Sequence, residues 1–366
     1  MTTLNIATYF YNLPTIIQIS WVLSSVFVFF ICLITFYLKH LRNNLRVKGR
    51  IEQTYQKKYE SDLINYLYSI NEGDNTSNIQ ENITKYLRKS SKNSVRRKVI
   101  ISTLLKLRNE ISGEMADSIQ ILYCQTGLID YASAKLKSKK WNIIASGIRE
   151  LTQFQIKESH DEIIEHVNHP KREVRKEMQL YFVTIFNFEG LKFLDIITNQ
   201  LSDWDQIQLL EILQRFENQR IPDINPWLTS SNDSVVSFAI KLAKIYNQFE
   251  SKDTLLKLLF HPNKTIRIDT IDVLNHLYVV ETIPILKKEF PNLSIEEKIA
   301  FFILLENLFD NDDVLFIFEN KNSTIFEIKV SANKILKEVN YDSINTSKKE
   351  IIEAGISEST NLTKAS

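Results

Sequence analysis

The stretch Ile266-Arg-Ile-Asp-Thr-Ile-Asp-Val-Leu274 contains a helical stripe of apolar residues. Apolar residues equivalent to Leu274 recur along the chain at a nearly constant spacing. Apolar side chains three and four positions apart share one face of a helix, so this stretch predicts a helix with one buried side. The steps between successive matching residues are 31, 31, 30, 31, 31 and 31. The matching residues are Leu151, Phe182, Leu213, Ala243, Leu274, Leu305 and Leu336.

This period indicates stacked units, because a fixed spacing of about 20 to 50 residues is typical of architectures in which no unit buries its own apolar face. Each unit is predicted to contain a longer helix that ends near the matching residue and a shorter second helix, such as 253–259. One unit should differ. Residues 220–228 include two prolines, so the second helix there should be short or bent.

The overall composition argues against several classes of function. Among 366 residues, 45 are basic and 44 acidic, whereas a nucleic-acid-binding protein usually has a clustered basic excess. Only 7 glycines are present, and none forms a G-x-G, G-x-x-x-x-G-K or G-x-S-x-G motif. Phosphate-cradling loops and nucleophile elbows need such glycines, so nucleotide-dependent and α/β-hydrolase chemistry are not expected. Cys32 and Cys124 have neither metal-ligand nor disulfide spacing.

An uncharged stretch near the N-terminus predicts a transmembrane helix. Residues 15–38 have no charged side chain, and as a helix they would extend roughly 35 Å, enough to cross a hydrocarbon core of about 30 Å. A cleaved signal peptide and a buried core helix are the alternatives. No charge precedes the stretch, its apolar run is long for a signal peptide, and basic residues follow it directly.

The basic residues after this stretch predict its orientation. By the positive-inside rule, the N-terminus should lie outside an inner (cytoplasmic) membrane and the C-terminal body in the cytoplasm. The basic residues would stop transfer, and they also suit contact with anionic headgroups. The residues predicted at the membrane surface are Lys39, Arg42, Arg46, Lys48 and Arg50.

Six segments are predicted along the chain. A short extracytoplasmic N-terminus is followed by the transmembrane helix, a basic linker helix, irregular early helices, the periodic helices, and a polar, mostly disordered tail. In that order they are residues 1–14, 15–38, 39–60, 61–138, 139–340 and 341–366.

The periodic part has a distinctive motif, His261-Pro-Asn-Lys-Thr-Ile-Arg-Ile-Asp-Thr-Ile-Asp-Val-Leu274 followed by Glu281-Thr-Ile-Pro-Ile-Leu286. It resembles the short bacterial HEAT repeat, which opens with an H-P-type turn and a V-R pair and often has V-P-x-L in its second helix. The stretch His169-Pro-Lys-Arg-Glu-Val-Arg175 is similar to the first half. The resemblance covers residues 138–339 well and 61–137 loosely. It implies an all-α, right-handed α-α superhelix of the HEAT or armadillo-like kind.

No catalytic set can be argued from the spacing of reactive residues, and neither a metal nor a cofactor is expected. His166 and His169 could meet on one helix face and hold a metal. However, His169 and His261 both stand directly before a proline that begins a unit, which favours a structural role in the turn. Arg175 and Arg267 also share register, and the resemblance implies that such arginines pair with polar groups of adjoining repeats.

These patterns favour a non-enzymatic scaffold or adaptor that binds a protein partner on the cytoplasmic face of a bacterial membrane. An envelope-biogenesis or signalling protein is the expected partner, with no nucleic acid and no small-molecule substrate. The alternatives are a HEAT-like enzyme of the lyase type and a structural subunit of a membrane complex. The second helices of HEAT units usually line the concave face, where the candidate contacts are His160, Glu162, Lys192, Asp195, Trp227, Lys257, Lys287 and Lys288.

Overall fold

The computed structural model describes residues 14–69, 76–216 and 221–339, without the side chains of residues 44, 45, 47, 48, 76 and 77. In this part of the chain all regular structure is helical and no strand is present. The all-α class predicted from the sequence is therefore confirmed. The predicted N-terminal segment 1–14, apart from Pro14, and the predicted tail 341–366 lie outside the described residues.

A single helix, α1 (Thr15–Tyr68), runs for 54 residues. Within its first part, Thr15–Asn43, the most apolar window of 18 residues has a mean hydropathy of 2.4, and none of this window is buried against the rest of the chain. This part is long and apolar enough to cross a membrane, a property that an N-terminal signal sequence would share. The linker expected over 39–60 is not a separate helix. No proline interrupts the residues after the apolar stretch, and α1 continues through them.

The chain forms two compact units, Met1–Lys135 with Gln153–Ile156 and Leu136–Thr152 with Lys157–Ser366. In the first unit α1 packs on α2 (Thr76–Ser91) and on α3 (Ser94–Glu110), and α3 packs on α4 (Glu114–Gln125). Helix α5 (Leu128–Leu136) follows α4. The apolar core of this unit includes Tyr59, Leu63, Leu87, Ile100, Leu104, Leu122 and Tyr123.

The second unit contains seven long helices that reproduce the period of the sequence. Their first residues are 31, 31, 30, 31, 31 and 31 positions apart. Every residue used to define the period lies in one of these helices, and all except the half-buried Leu336 are buried. The long helices are α6 (Trp141–Gln153), α8 (Arg172–Phe186), α9 (Asp203–Leu213), α11 (Asp233–Ile245), α13 (Lys264–His276), α15 (Ile295–Leu308) and α17 (Phe326–Glu338).

Shorter helices connect the long ones. They are α7 (His160–Ile164), a 3₁₀ helix at Asn187–Asp195, α10 (Asn225–Leu228), α12 (Lys252–Leu258), α14 (Thr282–Glu289) and α16 (Val314–Glu319). Short 3₁₀ turns occupy Phe249–Ser251, Phe290–Asn292 and Asn311–Asp313. Helices α11, α13, α15 and α17 pack on one another in sequence. The proline-containing second helix is four residues long, as the sequence predicts.

Ion pairs join neighbouring long helices, each between side chains 28 to 33 residues apart. Three of the six pairs have both partners partly exposed, and such pairs contribute only about 0 to 1 kcal/mol. In the other three pairs the carboxylate is buried, and the Glu297 side chain is the least exposed of these, at 2 %. The pairs are Arg149–Glu177, Arg172–Asp205, Lys244–Asp272, Lys264–Glu296, Arg267–Glu297 and Lys334–Glu306.

The environment of Glu297 keeps its carboxylate charged. Burial alone would raise the pKa of Glu297, but hydrogen bonds from Arg267 and Ser294 outweigh burial and lower the pKa to about 2. The Glu297 side chain accepts a hydrogen bond from the Ser294 backbone N–H at 3.0 Å, and the Ser294 hydroxyl accepts one from the Glu297 backbone N–H at 3.3 Å. These two bonds form a capping box at the start of α15.

Arg175 and Arg267 stabilise the turns that precede their helices. Arg267 Nη1 donates to the backbone carbonyls of His261 and Pro262 at 2.8 and 3.0 Å. Arg175 Nη1 donates to the equivalent carbonyls of His169 and Pro170 at 2.7 and 3.2 Å. In both turns the histidine Nδ1 accepts a hydrogen bond from a backbone N–H two residues later. Both histidines therefore have the structural role in the turn that the sequence predicts. Arg267 also pairs with Glu297 of the next long helix, whereas these two bonds of Arg175 lie within its own turn.

Candidate partner-binding groove

The chain departs from the two-helix pattern at the sharp end of α8. Asn187 ends the helix with a positive φ of 54°, a conformation that asparagine tolerates better than most residues. The chain then returns along α8 as the 3₁₀ helix Asn187–Asp195. At Gly190 the two backbones approach so closely that a Cβ atom would overlap the Phe182 carbonyl group. Glycine is therefore required where this segment crosses α8.

An open groove lies between α7, the end of α8 and this 3₁₀ helix, with a volume of about 500 Å³. Its floor is apolar and aromatic: Phe182 and Phe193 are buried, whereas Ile196 is 51 % exposed. The rings of Phe182 and Phe186 stack with their centroids 5.9 Å apart. We call this feature the α8 groove. Its lining includes His160, Ile164, Phe182, Phe186, Glu189, Lys192, Phe193 and Ile196.

Charged and titratable side chains surround the apolar floor. The His160 ring lies edge-on to Phe186, with centroids 6.0 Å apart, and its Nδ1 lies 3.2 Å from the Lys157 carbonyl oxygen. Glu189 and Lys192 are exposed on the 3₁₀ helix. An apolar centre with a polar rim is the anatomy of a protein-binding surface, in which buried apolar anchors supply most of the affinity.

The structure brings two of the predicted contact residues, His160 and Lys192, to this groove. Trp227 is placed differently from the prediction. Its side chain is only 5 % exposed, and its indole Nε1 donates to Asp195 at 2.6 Å. Trp227 is therefore part of the core, and Asp195 of the preceding 3₁₀ helix satisfies its N–H. Glu162 forms an ion pair with Lys137 at 3.4 Å.

The remaining predicted contacts lie on later short helices, away from the groove lining. Lys287 pairs with Asp313, and its Nζ lies 5.6 Å from the centre of the Phe316 ring. Lys257 and Lys288 are exposed on α12 and α14. The eight predicted residues therefore do not form one site.

The histidines near α7 are positioned for packing. The rings of His166 and His169 meet edge-on with centroids 5.9 Å apart. Burial lowers the pKa of His166, and the neighbouring His169 lowers it further. Among the residues that the structure describes, no group of three or more His, Cys, Asp or Glu side chains is placed to hold a metal ion.

The predicted membrane-surface residues lie along α1. Lys39, Arg42, Arg46 and Arg50 are exposed, and the side chain of Lys48 is outside the described part. Because α1 is continuous through this region, these residues share one helix with the apolar segment.

Comparisons with known proteins identify no family. No protein-family model matches this chain, and no curated protein matches it. Among solved structures, two engineered proteins studied by the Northeast Structural Genomics Consortium are similar at 13 % and 14 % identity. The first alignment covers 74 % of this chain and 87 % of the engineered protein, with a TM-score of 0.30. The second covers 70 % and 96 %, with a TM-score of 0.23.

Sequence reasoning missed the apolar part of the groove. Apart from Trp227 it selected polar residues of the second helices, whereas Ile164, Phe186 and Ile196 provide the exposed apolar surface. A usable signal was present, because 182–197 contains four phenylalanines and one of the 7 glycines of the chain. Apolar residues beyond the number needed by a single buried face indicate a second, exposed apolar face.

Proposed function

We propose that this protein is a non-enzymatic, membrane-tethered scaffold or adaptor whose helical body binds a protein partner at the α8 groove. The observation that carries the proposal is the groove itself: stacked phenylalanine rings and the half-exposed Ile196, bordered by Lys192, Glu189 and His160. A fitting partner inserts an apolar side chain against Phe186 and places a carboxylate near Lys192. An envelope-biogenesis or signalling protein is the partner class that we propose.

The body in this proposal is a HEAT-like solenoid, a right-handed superhelix of stacked helix pairs. Three observations support it: the constant spacing of the long helices, the packing of α11, α13, α15 and α17 on one another in sequence, and the ion pairs between neighbouring long helices. Such stacks present extended surfaces for binding. The α8 groove occurs where a 3₁₀ segment replaces the second α-helix of a unit and leaves the end of α8 accessible.

In the same proposal α1 crosses the inner (cytoplasmic) membrane once, with its N-terminus outside and the helical body in the cytoplasm. The support is the length and hydropathy of Thr15–Asn43, together with the basic residues that follow the apolar stretch. Tethering would raise the effective concentration of the partner at the membrane without requiring further contacts.

Site-specific photo-cross-linking tests the groove directly. A photoreactive phenylalanine analogue replaces Ile196 in one full-length variant and Val280 in another, since these side chains are 51 % and 55 % exposed. After irradiation of the protein's own membranes, we expect a defined protein adduct at Ile196 at least five times more abundant than at Val280. The Lys192→Glu exchange should reduce the Ile196 adduct. Equal adducts at both positions, or no protein adduct at Ile196, would refute the groove as the binding site.

A further inference from the structure

A stretch of the first unit has a strongly one-sided charge, although the whole chain is nearly neutral. Residues 82–109, which include the end of α2 and most of α3, contain nine basic residues and no acidic residue. Uncompensated charge of one sign repels itself, so its concentration in one part of a neutral chain suggests a partner of opposite charge.

Five of these nine basic residues have partners inside the first unit. Lys85 and Lys106 form ion pairs with Glu81 and Glu60, and Arg96 donates to the Tyr55 hydroxyl at 3.1 Å. Arg97 lies 3.9 Å from the centre of the Tyr131 ring, and Arg108 donates to a backbone carbonyl. The other four are exposed, and within the described residues no carboxylate pairs with them. We call them the basic turn: Arg88, Lys89, Lys92 and Lys98.

Contacts with α1 locate the basic turn along that helix. Tyr86, near the end of α2, has its ring 6.2 Å from Tyr59, and Arg96, near the start of α3, contacts Tyr55. Further along α3, Lys106 pairs with Glu60. The α2–α3 connection therefore lies at the end of these two helices that is nearer the apolar segment. Tyr55 follows the last residue of that segment, Asn43, by 12 positions, or roughly 18 Å along a helix.

We infer that the basic turn docks on anionic phospholipid headgroups of the bilayer that holds α1. This inference rests on the proposed membrane anchoring. Exposed Arg46, Arg50 and Lys57 extend positive charge along α1 between the apolar segment and the turn. A lipid surface is favoured over nucleic acid because the apolar segment fixes the basic turn beside a membrane, where cytoplasmic leaflets are negatively charged.

A bend or tilt of α1 would bring the basic turn closer to the lipid headgroups. Electrostatic attraction to a membrane decays over about 8 to 10 Å, so an upright α1 would leave the basic turn only weakly attracted. Transmembrane helices tilt by about 20° on average and by up to about 40°. Gly49 lies between the apolar segment and Tyr55, and a Cβ atom there would meet nothing within 4 Å. With no packing role, this glycine weakens the helix where a bend would bring the basic turn to the headgroups.

Energy transfer in vesicles tests the inference on the full-length chain. A donor dye is attached at Ser94→Cys, an exposed position beside the basic turn, in a Cys32→Ser/Cys124→Ser background, and the lipids carry a headgroup acceptor. We expect at least twofold higher transfer efficiency in phosphatidylcholine vesicles with 30 % phosphatidylglycerol than in phosphatidylcholine alone. The Arg88→Glu/Lys89→Glu/Lys92→Glu variant should abolish this difference. The Lys257→Glu/Lys288→Glu variant, altered at exposed lysines of the second unit, should retain it.

Equal transfer in the two lipids by an inserted chain overturns the inference, as does an unchanged response of the triple variant. Flotation with neutral vesicles after a carbonate wash reports anchoring separately. A chain that fails to float contradicts the membrane-tethered function, whereas one that floats without a lipid-dependent response contradicts only the docking of the basic turn. A triple variant that loses binding to a single-stranded oligonucleotide but keeps its vesicle response would instead assign the surface to nucleic acid.

Discussion

Replacing Arg267 with alanine should lower the free energy of unfolding of the second unit by about 3 kcal/mol. The exchange removes the cation that pairs with Glu297, whose side chain is 2 % exposed. Breaking a buried pair by removing one partner costs about 3 to 5 kcal/mol, and the remaining bonds from Ser294 keep the expected value at the lower end. The exchange also frees the carbonyls of His261 and Pro262.

Hydrogen exchange of the full-length protein in mild detergent measures this effect at α13 and α15. A loss of about 3 kcal/mol corresponds to roughly hundredfold faster exchange in the most protected amides. Lys264→Ala is the matched control, because Lys264 joins the same two helices through Glu296 with both side chains about half exposed. We expect the control to cost less than about 1 kcal/mol. Equal effects of the two exchanges would contradict a special role for the buried pair.

The same pair predicts how stability changes with acidity. Because the pKa of Glu297 is lowered to about 2, from an ordinary value near 4.5, the unfolded state takes up protons first as the pH falls. The contribution of Glu297 is therefore fully present above about pH 5 and is lost as the pH approaches 2. In the Glu297→Gln variant, the free energy of unfolding should lack the decrease that the protonation of Glu297 causes as the pH falls.

Gly190→Ala should destabilise the second unit by about 2 to 3 kcal/mol and alter the α8 groove. A Cβ at this position would overlap the Phe182 carbonyl, which belongs to helical backbone and cannot move without displacing α8 or the 3₁₀ helix. Overpacking of this kind typically costs about 1 to 3 kcal/mol, and a backbone obstacle places it at the upper end. Because the two displaced segments form the groove walls, partner cross-linking at Ile196 should also decrease.

Thermal unfolding by circular dichroism, together with the Ile196 cross-link, checks this prediction. Gly49→Ala is the matched control, since a Cβ there meets nothing and alanine is the better helix former. Asn187→Gly serves as a second control, because it relieves a positive φ of 54° and should preserve or raise stability. If Gly190→Ala unfolded at the wild-type temperature, the close approach of the two backbones would be wrong.

The long helices could be predicted from the sequence because their burial repeats. Each repeat must bury the apolar stripe of one long helix. The constant spacing from Leu151 to Leu336 therefore predicts where the seven long helices lie. The weakness of the second helix at Pro222 and Pro226 was equally predictable, since proline removes a backbone donor. These features depend on local chemistry that is visible in a single sequence.

The excess of phenylalanines in 182–197 was visible in the sequence, but the shape of the groove could not be predicted, because it depends on backbone geometry. Whether 187–195 becomes an α-helix or a 3₁₀ helix depends on the positive φ of Asn187 and on how closely Gly190 can approach Phe182. In the same region Trp227 is buried against Asp195, whereas Ile196 is exposed. Register alone identifies which helix a residue belongs to, but not which side chains the neighbouring unit covers.

Affinity capture from the protein's own membranes tests the central proposal most directly. Four full-length forms are compared by mass spectrometry: wild type, Ile196→Asp, Val280→Asp, and a form whose residues 15–38 are replaced by an unrelated transmembrane sequence. We expect one protein to accompany the wild type, the Val280→Asp variant and the span-exchanged form, and to fall at least tenfold with Ile196→Asp. Full retention by Ile196→Asp would contradict binding at the α8 groove, and loss on exchange of the span would indicate a membrane subunit that assembles through α1.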